Sequence, residues 1–563
     1  MKKMWKQISA LALTGLMGLA AVGCGGGSTG GNSSTGGGTS SGGSTTITLP
    51  SGDQDFQVYI INHGYRTEGA EAILNAFKEQ DWVKAKYPNL KITPTSNNMS
   101  GFALNKVQSP KTNEFDLMFV LDDMIKVYEK NSKGENLLLD LTEVVYNSEV
   151  LDKPGTKYID TIHDSFLQYL AYTTKTETTP KYYGVPWVTG YSGILYSEEI
   201  LARYGYTDGK TPNTTDEFLA LCENIKTHPE NSGNTDGYCF INASSYYHRL
   251  LDTWWAQYDG LEAYNNFWQG KYTDARGTSY SNKIFSLEGR LKALEVIAET
   301  VYYENGYYDL KNQDAGDFMT RQATLLKGQY AFMACPDWYD TEMRSTKATL
   351  EAEGIDTHTI KIMQMPIISA ITDKLDTVKD DATLSKVVEA IDNGATSYEG
   401  VSAKDFARLQ EARGIYDQGG MEHEVVIPTS ADDQDIAVDV LKFMATKTAQ
   451  EAYMKATMGQ NMPFDYDYAN MPTEVKSELS PLQISRLDYY YTTDYAIHVL
   501  PIERRFPLVR NGGLRAFTGQ TSGYNVIFSI ENCEETPLGM FNDTKKYWTD
   551  QVFNFALMAS GLR

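Results

Sequence analysis

The sequence predicts an α/β fold built as at least two lobes. The chain has 563 residues, which is more than one hydrophobic core usually serves. Apolar residues make up 41% of it and charged residues 22%, as in ordinary globular proteins. Strand patterns alternate with helix patterns along the sequence, which favours largely parallel sheets with right-handed crossovers.

The strand and helix patterns also indicate where a ligand would bind. Strands are predicted over 56–61 and 115–121, and helices over 70–77, 214–225, 287–301 and 436–444. The helix at 214–225 begins with a capping box formed by Thr214 and Glu217. Because ligands of parallel sheets meet the loops after the strands, the pattern points to residues 62–66 and to Asp122 and Asp123.

The composition disfavours several classes of function. The formal net charge of −23 repels phosphate backbones, so we expect no nucleic-acid partner. The 38 Tyr and 8 Trp suit polar organic ligands, whereas only 7 His disfavour metal chemistry. His423 and Glu424 begin a zincin-like motif, but Ile427 stands where its second His would be. We therefore expect no catalytic residues, no metal and no cofactor.

The N-terminus resembles a bacterial lipoprotein signal. A cationic start precedes the apolar stretch 8–22, which is shorter than the roughly 20 residues that a spanning helix needs and ends just before Cys24. We expect cleavage after residue 23, acylation of Cys24 (palmitate) and a Gly/Ser/Thr tether over 24–46. The protein would be lipid-anchored on the extracytoplasmic face of the cell membrane, extracellular in a single-membrane envelope and periplasmic otherwise. An ordinary secretory peptide is the alternative.

Four further cysteines follow in the globular part: Cys222, Cys239, Cys335 and Cys533. They can pair in three ways, and their spacing does not choose between these. A fold of this size does not need disulfides, so we expect buried, unpaired thiols.

Five motifs occur in a characteristic order over about residues 55–465. They are YYGVPW (182–187) with GILYS (193–197), TTDEF (214–218), GQYAFM (328–333), PDW (336–338) and VIPTS (426–430). Together they resemble the extracellular solute-binding proteins of bacterial ABC importers, of the sugar-binding type known as family 1.

The resemblance implies a two-lobed, periplasmic-binding-protein-like α/β fold with a hinge and a ligand cleft between the lobes. The expected N-terminal lobe is 47–180 with 366–460, and the expected C-terminal lobe is 181–365 with 461–563. The expected hinges are 179–186, 363–368 and 461–467. The implied function is capture of a carbohydrate, in particular an oligosaccharide, by lobe closure and its delivery to permease subunits, by a monomer without enzymatic activity.

The resemblance also implies where the ligand is held. The expected contacts are Trp338, Trp187, Asp122, Asp123, Tyr191, Tyr339, Trp255, Tyr65, Arg66 and His63. Aromatic rings cover the C–H faces of a sugar, while charged side chains bond its hydroxyls. Core packing could also account for Trp187 and Trp255, and Asp122 could cap the following helix.

Two other functions stay open from the sequence. A surface lipoprotein glycosidase or lyase would also have an aromatic cleft. A binding protein for peptide or polyamine cargo would suit the acidic composition, because anion-rich clefts attract cations.

Overall fold

The computed structural model describes residues 54–563 except 65, 122–123, 175–176, 235, 241–245, 310–317, 418–420, 501–505, 515–529 and 531–532. The strands are β1 Gln54–Ile61, β2 Leu90–Asn97, β3 Leu117–Val120, β4 Glu149–Val150, β5 Lys153–Lys157, β6 Gly184–Pro186, β7 Ser192–Ser197, β8 Lys271–Asp274, β9 Gly277–Tyr280, β10 Phe332–Pro336, β11 Ile360–Met363, β12 Ile415–Tyr416, β13 Glu424–Val426 and β14 His498–Val499. The helices are α1 Glu68–Lys78, α2 Asp81–Lys86, α3 Phe102–Val107, α4 Ile125–Ser132, α5 Asp164–Leu170, α6 Glu198–Arg203, α7 Thr215–Thr227, α8 Tyr247–Asp259, α9 Leu261–Trp268, α10 Gly289–Val301, α11 Phe318–Leu326, α12 Tyr339–Ala352, α13 Asp381–Asp392, α14 Ala403–Arg413, α15 Gln434–Met444, α16 Lys447–Ala456, α17 Thr473–Lys476, α18 Pro481–Thr492, α19 Pro507–Arg510, α20 Pro537–Tyr547 and α21 Asp550–Ala559. The predicted signal peptide and tether lie outside the described residues.

The larger sheet has the strand order β2-β1-β3-β13-β6. Strand β1 runs parallel to both β2 and β3, as the alternating pattern predicts. Strand β13 is antiparallel to β3 and to β6, so the chain returns to this sheet late in the sequence. The predicted strands at 56–61 and 115–121 are β1 and β3, and helix α1 buries the predicted apolar face from Ala70 to Phe77.

A second sheet has the order β10-β7-β11, and both outer strands are antiparallel to β7. The prediction of largely parallel sheets is therefore wrong for this sheet. The physical reason is that β7 is buried at every position, so its sequence shows no alternation and gives no indication of strand direction.

The two largest hydrophobic cores divide the described residues into two lobes, and a small third cluster packs Met454 with Val475, Leu479 and Leu487. The first lobe packs residues between Phe56 and Val188 with those between Met421 and Phe464. The second lobe packs residues between Tyr191 and Tyr416 with others between Leu482 and Leu557. The chain therefore passes between the lobes at 188–191, at 416–421 and after 464.

These crossings differ in two places from the expected boundaries. Residues 179–186 end in β6, which pairs with β13 inside the first sheet, so the first crossing comes later. Residues 367–416 pack in the second lobe, because β11 pairs with β7 and the following helices bury their apolar faces in the same core. The third crossing lies between Phe464, the last member of the first core, and Leu482, where the second core resumes.

The predicted helix starts have the expected local chemistry. The Thr214 hydroxyl accepts a hydrogen bond from the Glu217 N–H at 3.2 Å. The Glu217 carboxylate in turn accepts from the Asn213 N–H at 2.8 Å. In the predicted capping box the donor would be the N–H of Thr214, one residue later. Helices α10 and α15 confirm the predictions over 287–301 and 436–444.

Candidate functional site

Trp338 lies where the two lobes meet. It follows β10 and occupies the N-cap position of α12, both in the second lobe. Its half-buried ring nevertheless packs against the core of the first lobe. A Cβ atom added to Gly64 would lie 3.6 Å from Cδ2 of this indole, and the ring of Tyr246 meets it edge to face at 5.8 Å between centroids. An aromatic surface therefore stands at the junction of the lobes.

The loop after β1 faces this indole from the first lobe. Gly64 and Arg66 both have positive φ angles, 55° and 58°, and the Arg66 N–H donates to the His63 carbonyl at 3.3 Å. A positive φ is unusual for arginine and requires support from the surrounding structure. The turn leaves His63 exposed and Arg66 half-buried.

Glu342 lies one helical turn after Trp338 on α12. Its carboxylate accepts a hydrogen bond of 2.6 Å from Nε2 of Gln322. Burial raises the pKa of Glu342 to about 7, although the Gln322 hydrogen bond and the attraction of Arg66 both lower it. The two lobes thus bring a cation and a half-buried acid close to the indole. Sequence reasoning missed Glu342; its i+4 spacing from Trp338 was the available signal.

A buried ion pair supports the backbone next to Trp338. Asp337 Oδ2 lies 3.1 Å from Arg486 Nε on α18, and neither side chain is exposed. The Asp337 N–H donates to the Tyr191 carbonyl at 2.8 Å. The Asp337 carbonyl accepts from the side-chain amides of Gln460 and Gln483 at 3.1 and 2.9 Å. These bonds fix the end of β10 and so position the indole.

Residues 63–357 match the family model of the bacterial extracellular solute-binding proteins. The chain belongs to this family. The matched region starts in the loop after β1 and includes α12. It therefore contains the residues that face Trp338 from the first lobe and the helix that Trp338 caps in the second lobe.

Solved structures with the two-lobed fold of solute-binding proteins resemble this chain. One comes from work on xylan utilization by the thermophilic bacterium Caldanaerobius polysaccharolyticus; it is 15% identical with a TM-score of 0.54, over 88% of this chain and 100% of that one. A chitin oligosaccharide binding protein is 15% identical with a TM-score of 0.52, over 91% and 100%. A probable secreted solute-binding lipoprotein from Streptomyces coelicolor is 13% identical with a TM-score of 0.53, over 88% and 99%. The search among curated proteins gave no match.

In this solute-binding protein Trp187 lies in the core of the first lobe. It is 1% exposed, and its ring meets those of Phe119, His423 and Tyr453 edge to face at 5.3, 5.6 and 6.4 Å. The structure therefore does not place this predicted ligand contact on a ligand-facing surface. The physical reason is that β6 continues the first sheet, which carries the residue after it into the core.

Three other predicted ligand rings are also buried, each 1% exposed. Tyr191 stacks on Tyr416 with 4.7 Å between centroids, and its hydroxyl donates to the Met363 carbonyl. The Tyr339 hydroxyl donates to the Gln322 carbonyl at 3.1 Å. The Trp255 indole donates to Asp259 at 2.9 Å inside a cluster of rings. Their polar atoms are thus occupied by the second lobe itself.

The remaining predicted site residues lie outside the described residues: Tyr65, Asp122, Asp123 and Cys24. Within the described part of the chain, His, Cys, Asp and Glu side chains form no group of three or more that could hold a metal ion. No helix in that part is both long and apolar enough to cross a membrane.

Proposed function

We propose that this protein is the substrate-binding component of an ABC importer and that it captures a carbohydrate, in particular an oligosaccharide, between its lobes. The observation that carries the proposal is the indole of Trp338, half-buried at the junction of the lobes beside Arg66 and Glu342. Such a surface offers one apolar ring face and charged hydrogen-bonding groups within one site.

The chemistry of this site suits a sugar. A pyranose has apolar C–H faces that an indole can cover, and its hydroxyls both donate and accept hydrogen bonds. The Arg66 guanidinium can donate to hydroxyl oxygens, and the Glu342 carboxyl can accept from hydroxyl groups when ionised. Two of the similar structures support this ligand class, since one is described as a chitin oligosaccharide binding protein and another comes from work on xylan utilization.

Closure of the lobes would convert binding into a signal. Polar contacts already join the lobes, among them Arg510 with Glu129 and Arg344 with the Ala456 carbonyl, both at 2.7 Å. A ligand that touches both lobes stabilises the closed arrangement through contacts that the open one lacks. The permease subunits would recognise this closed arrangement. Attachment through acylated Cys24 and the following tether would keep the protein near them.

Incubation with a panel of oligosaccharides tests the proposal. A bound sugar should raise the melting temperature, because ligand at a hundredfold over Kd adds about 2.7 kcal/mol of stability. Mass spectrometry of the same samples should return the sugar intact. Steady release of shorter products would instead establish a glycosidase or lyase. A melting shift with polyamines or peptides and none with any sugar would also overturn the proposal.

A further inference from the structure

Helix α7 packs along the segment 237–240 in the second lobe. The rings of Phe218 and Phe240 are 5.8 Å apart at one end of this contact. At the other end, a Cβ atom added to Gly237 would lie 2.9 Å from the Lys226 carbonyl oxygen. Cys222 lies between the two helix positions, and Cys239 lies between the two segment positions. The packing therefore places these two cysteines opposite each other.

The two thiols face each other across this contact. Both residues are 0% exposed, and the structure holds both as free thiols. The Cys239 thiol also reaches the Tyr307 carbonyl at 3.4 Å. The other two described cysteines have different surroundings: Cys335 is buried beside the Gln322 amide, and Cys533 is half-buried.

We propose that Cys222 and Cys239 form a disulfide in the exported protein. Members of the extracellular solute-binding family act outside the cytoplasm, where disulfides form and persist. The two thiols lose two protons and two electrons as the S–S bond forms, and a dithiol oxidase of the cell envelope takes up the electrons on its own disulfide. This proposal revises the sequence expectation of four unpaired thiols for this pair.

The bond would stabilise the second-lobe side of the ligand site. It closes a loop of about 18 residues, a size at which disulfides commonly stabilise the folded state. The Cys239 carbonyl accepts hydrogen bonds from the N–H groups of Ala331 and Phe332 at 3.0 and 2.9 Å. These residues lead into β10, whose far end precedes Trp338. The crosslink therefore ties α7 to the strand that carries the indole.

The burial of the pair also predicts when the bond forms. Burial, and then the neighbouring Cys239 thiol, raises the pKa of Cys222 well above its ordinary value. A protonated thiol is a poor nucleophile, so oxidation of the already folded protein would be slow. The bond should form during export, before α7 covers the segment 237–240.

Thiol mapping of the full-length protein, purified from the cell envelope of an expressing bacterium, tests the proposal. The protein is denatured and alkylated without reductant, then digested and analysed by mass spectrometry. We expect alkylated peptides for Cys335 and Cys533, and a linked peptide pair containing Cys222 and Cys239. Reduction before alkylation should modify all four. Alkylation of Cys222 and Cys239 without reductant would overturn the proposal.

Matched variants separate pairing from burial. Cys222→Ala should make Cys239 alkylatable without reductant, whereas Cys335→Ala should leave the linked pair intact. Reductant should lower the melting temperature of the wild type and of Cys335→Ala, but not that of Cys222→Ala. An equal response to reductant in Cys222→Ala and the wild type would contradict the crosslink.

Discussion

Asp337 Oδ2 and Arg486 Nε lie 3.1 Å apart, and neither side chain has exposed surface. Asp337 directly precedes Trp338, while Arg486 lies on α18, after the third crossing between the lobes. Arg486 also donates to the Gly459 carbonyl at 3.1 Å and to the Gln483 side chain at 2.7 Å. One guanidinium therefore connects the start of α12, the segment before the third crossing, and α18.

Loss of this guanidinium should destabilise the protein strongly. Arg486→Met leaves the Asp337 carboxylate buried without its ion-pair partner, which typically costs about 3–5 kcal/mol. The exposed pair of Lys91 with Asp55, at 3.0 Å, offers the control. Lys91→Met should cost at most about 1 kcal/mol. Urea denaturation of both variants measures the difference, and equal losses would refute the structural role of the buried pair.

Trp187 should behave as a core residue and not as a ligand contact. Trp187→Ala removes a ring that is 1% exposed, so we expect a loss of about 3–5 kcal/mol of unfolding free energy. Trp82→Ala, at a tryptophan that is 37% exposed, should cost much less. At a temperature where the Trp187 variant is folded, it should keep the ligand affinity of the wild type. A stable variant with greatly weakened binding would contradict this prediction and show that Trp187 contacts the ligand.

The half-buried acid Glu342 should make stability depend on pH. Its pKa is about 7 in the folded protein, against an ordinary value of 4.5, because it is buried. Between about pH 4.5 and 7 the folded protein holds a proton that the unfolded chain has lost, so this group's contribution to stability falls as the pH rises. Glu342→Gln removes the effect. The variant should therefore gain stability relative to the wild type between pH 5 and 8.

Denaturant unfolding at both pH values measures this gain. Asp340 on the same helix also has a pKa raised by burial to about 7, so some pH dependence should remain in Glu342→Gln. Glu353→Gln, at an exposed position after α12, should follow the wild type at both values. A constant stability difference between Glu342→Gln and the wild type from pH 5 to 8 would show that Glu342 does not titrate in this window.

The lipid anchor makes a separate prediction. Cys24→Ser removes the acylated thiol, so the protein should move from the membrane fraction to the soluble extracytoplasmic fraction. Cys533→Ser, which leaves Cys24 in place, should stay with the membrane. Membrane attachment of the Cys24 variant would contradict the lipoprotein interpretation.

The fold was largely predictable because many of its helices and strands follow from patterns of neighbouring residues. The alternation around β1 and α1, the cap at Thr214 and the helices α10 and α15 all depend on residues close in sequence. The antiparallel second sheet was not predictable in this way, since β7 is buried on both faces and its partners lie far along the chain. The packing of residues 367–416 in the second lobe was not predictable either, because it also depends on contacts with segments far away in the sequence.

The site was predictable in part. Trp338 stands at the junction of the lobes because its motif marks a strand end, which a sequence can show. Trp187 is also a tryptophan that follows a strand, so the sequence does not distinguish it from Trp338. Its burial depends on the packing of Phe119 and Tyr453 around it, which is a property of the tertiary structure. Glu342 and the Asp337–Arg486 pair depend on contacts between distant segments, so sequence reasoning missed them.

Calorimetric titration of the tightest-binding oligosaccharide into Trp338→Leu tests the central claim most directly. Leucine retains apolar packing against the first lobe but has no aromatic face. We expect affinity to fall by at least about tenfold, equivalent to roughly 1.4 kcal/mol, while Trp82→Leu binds like the wild type. An unchanged affinity of a folded Trp338→Leu protein would contradict the account, because the sugar would then lie elsewhere.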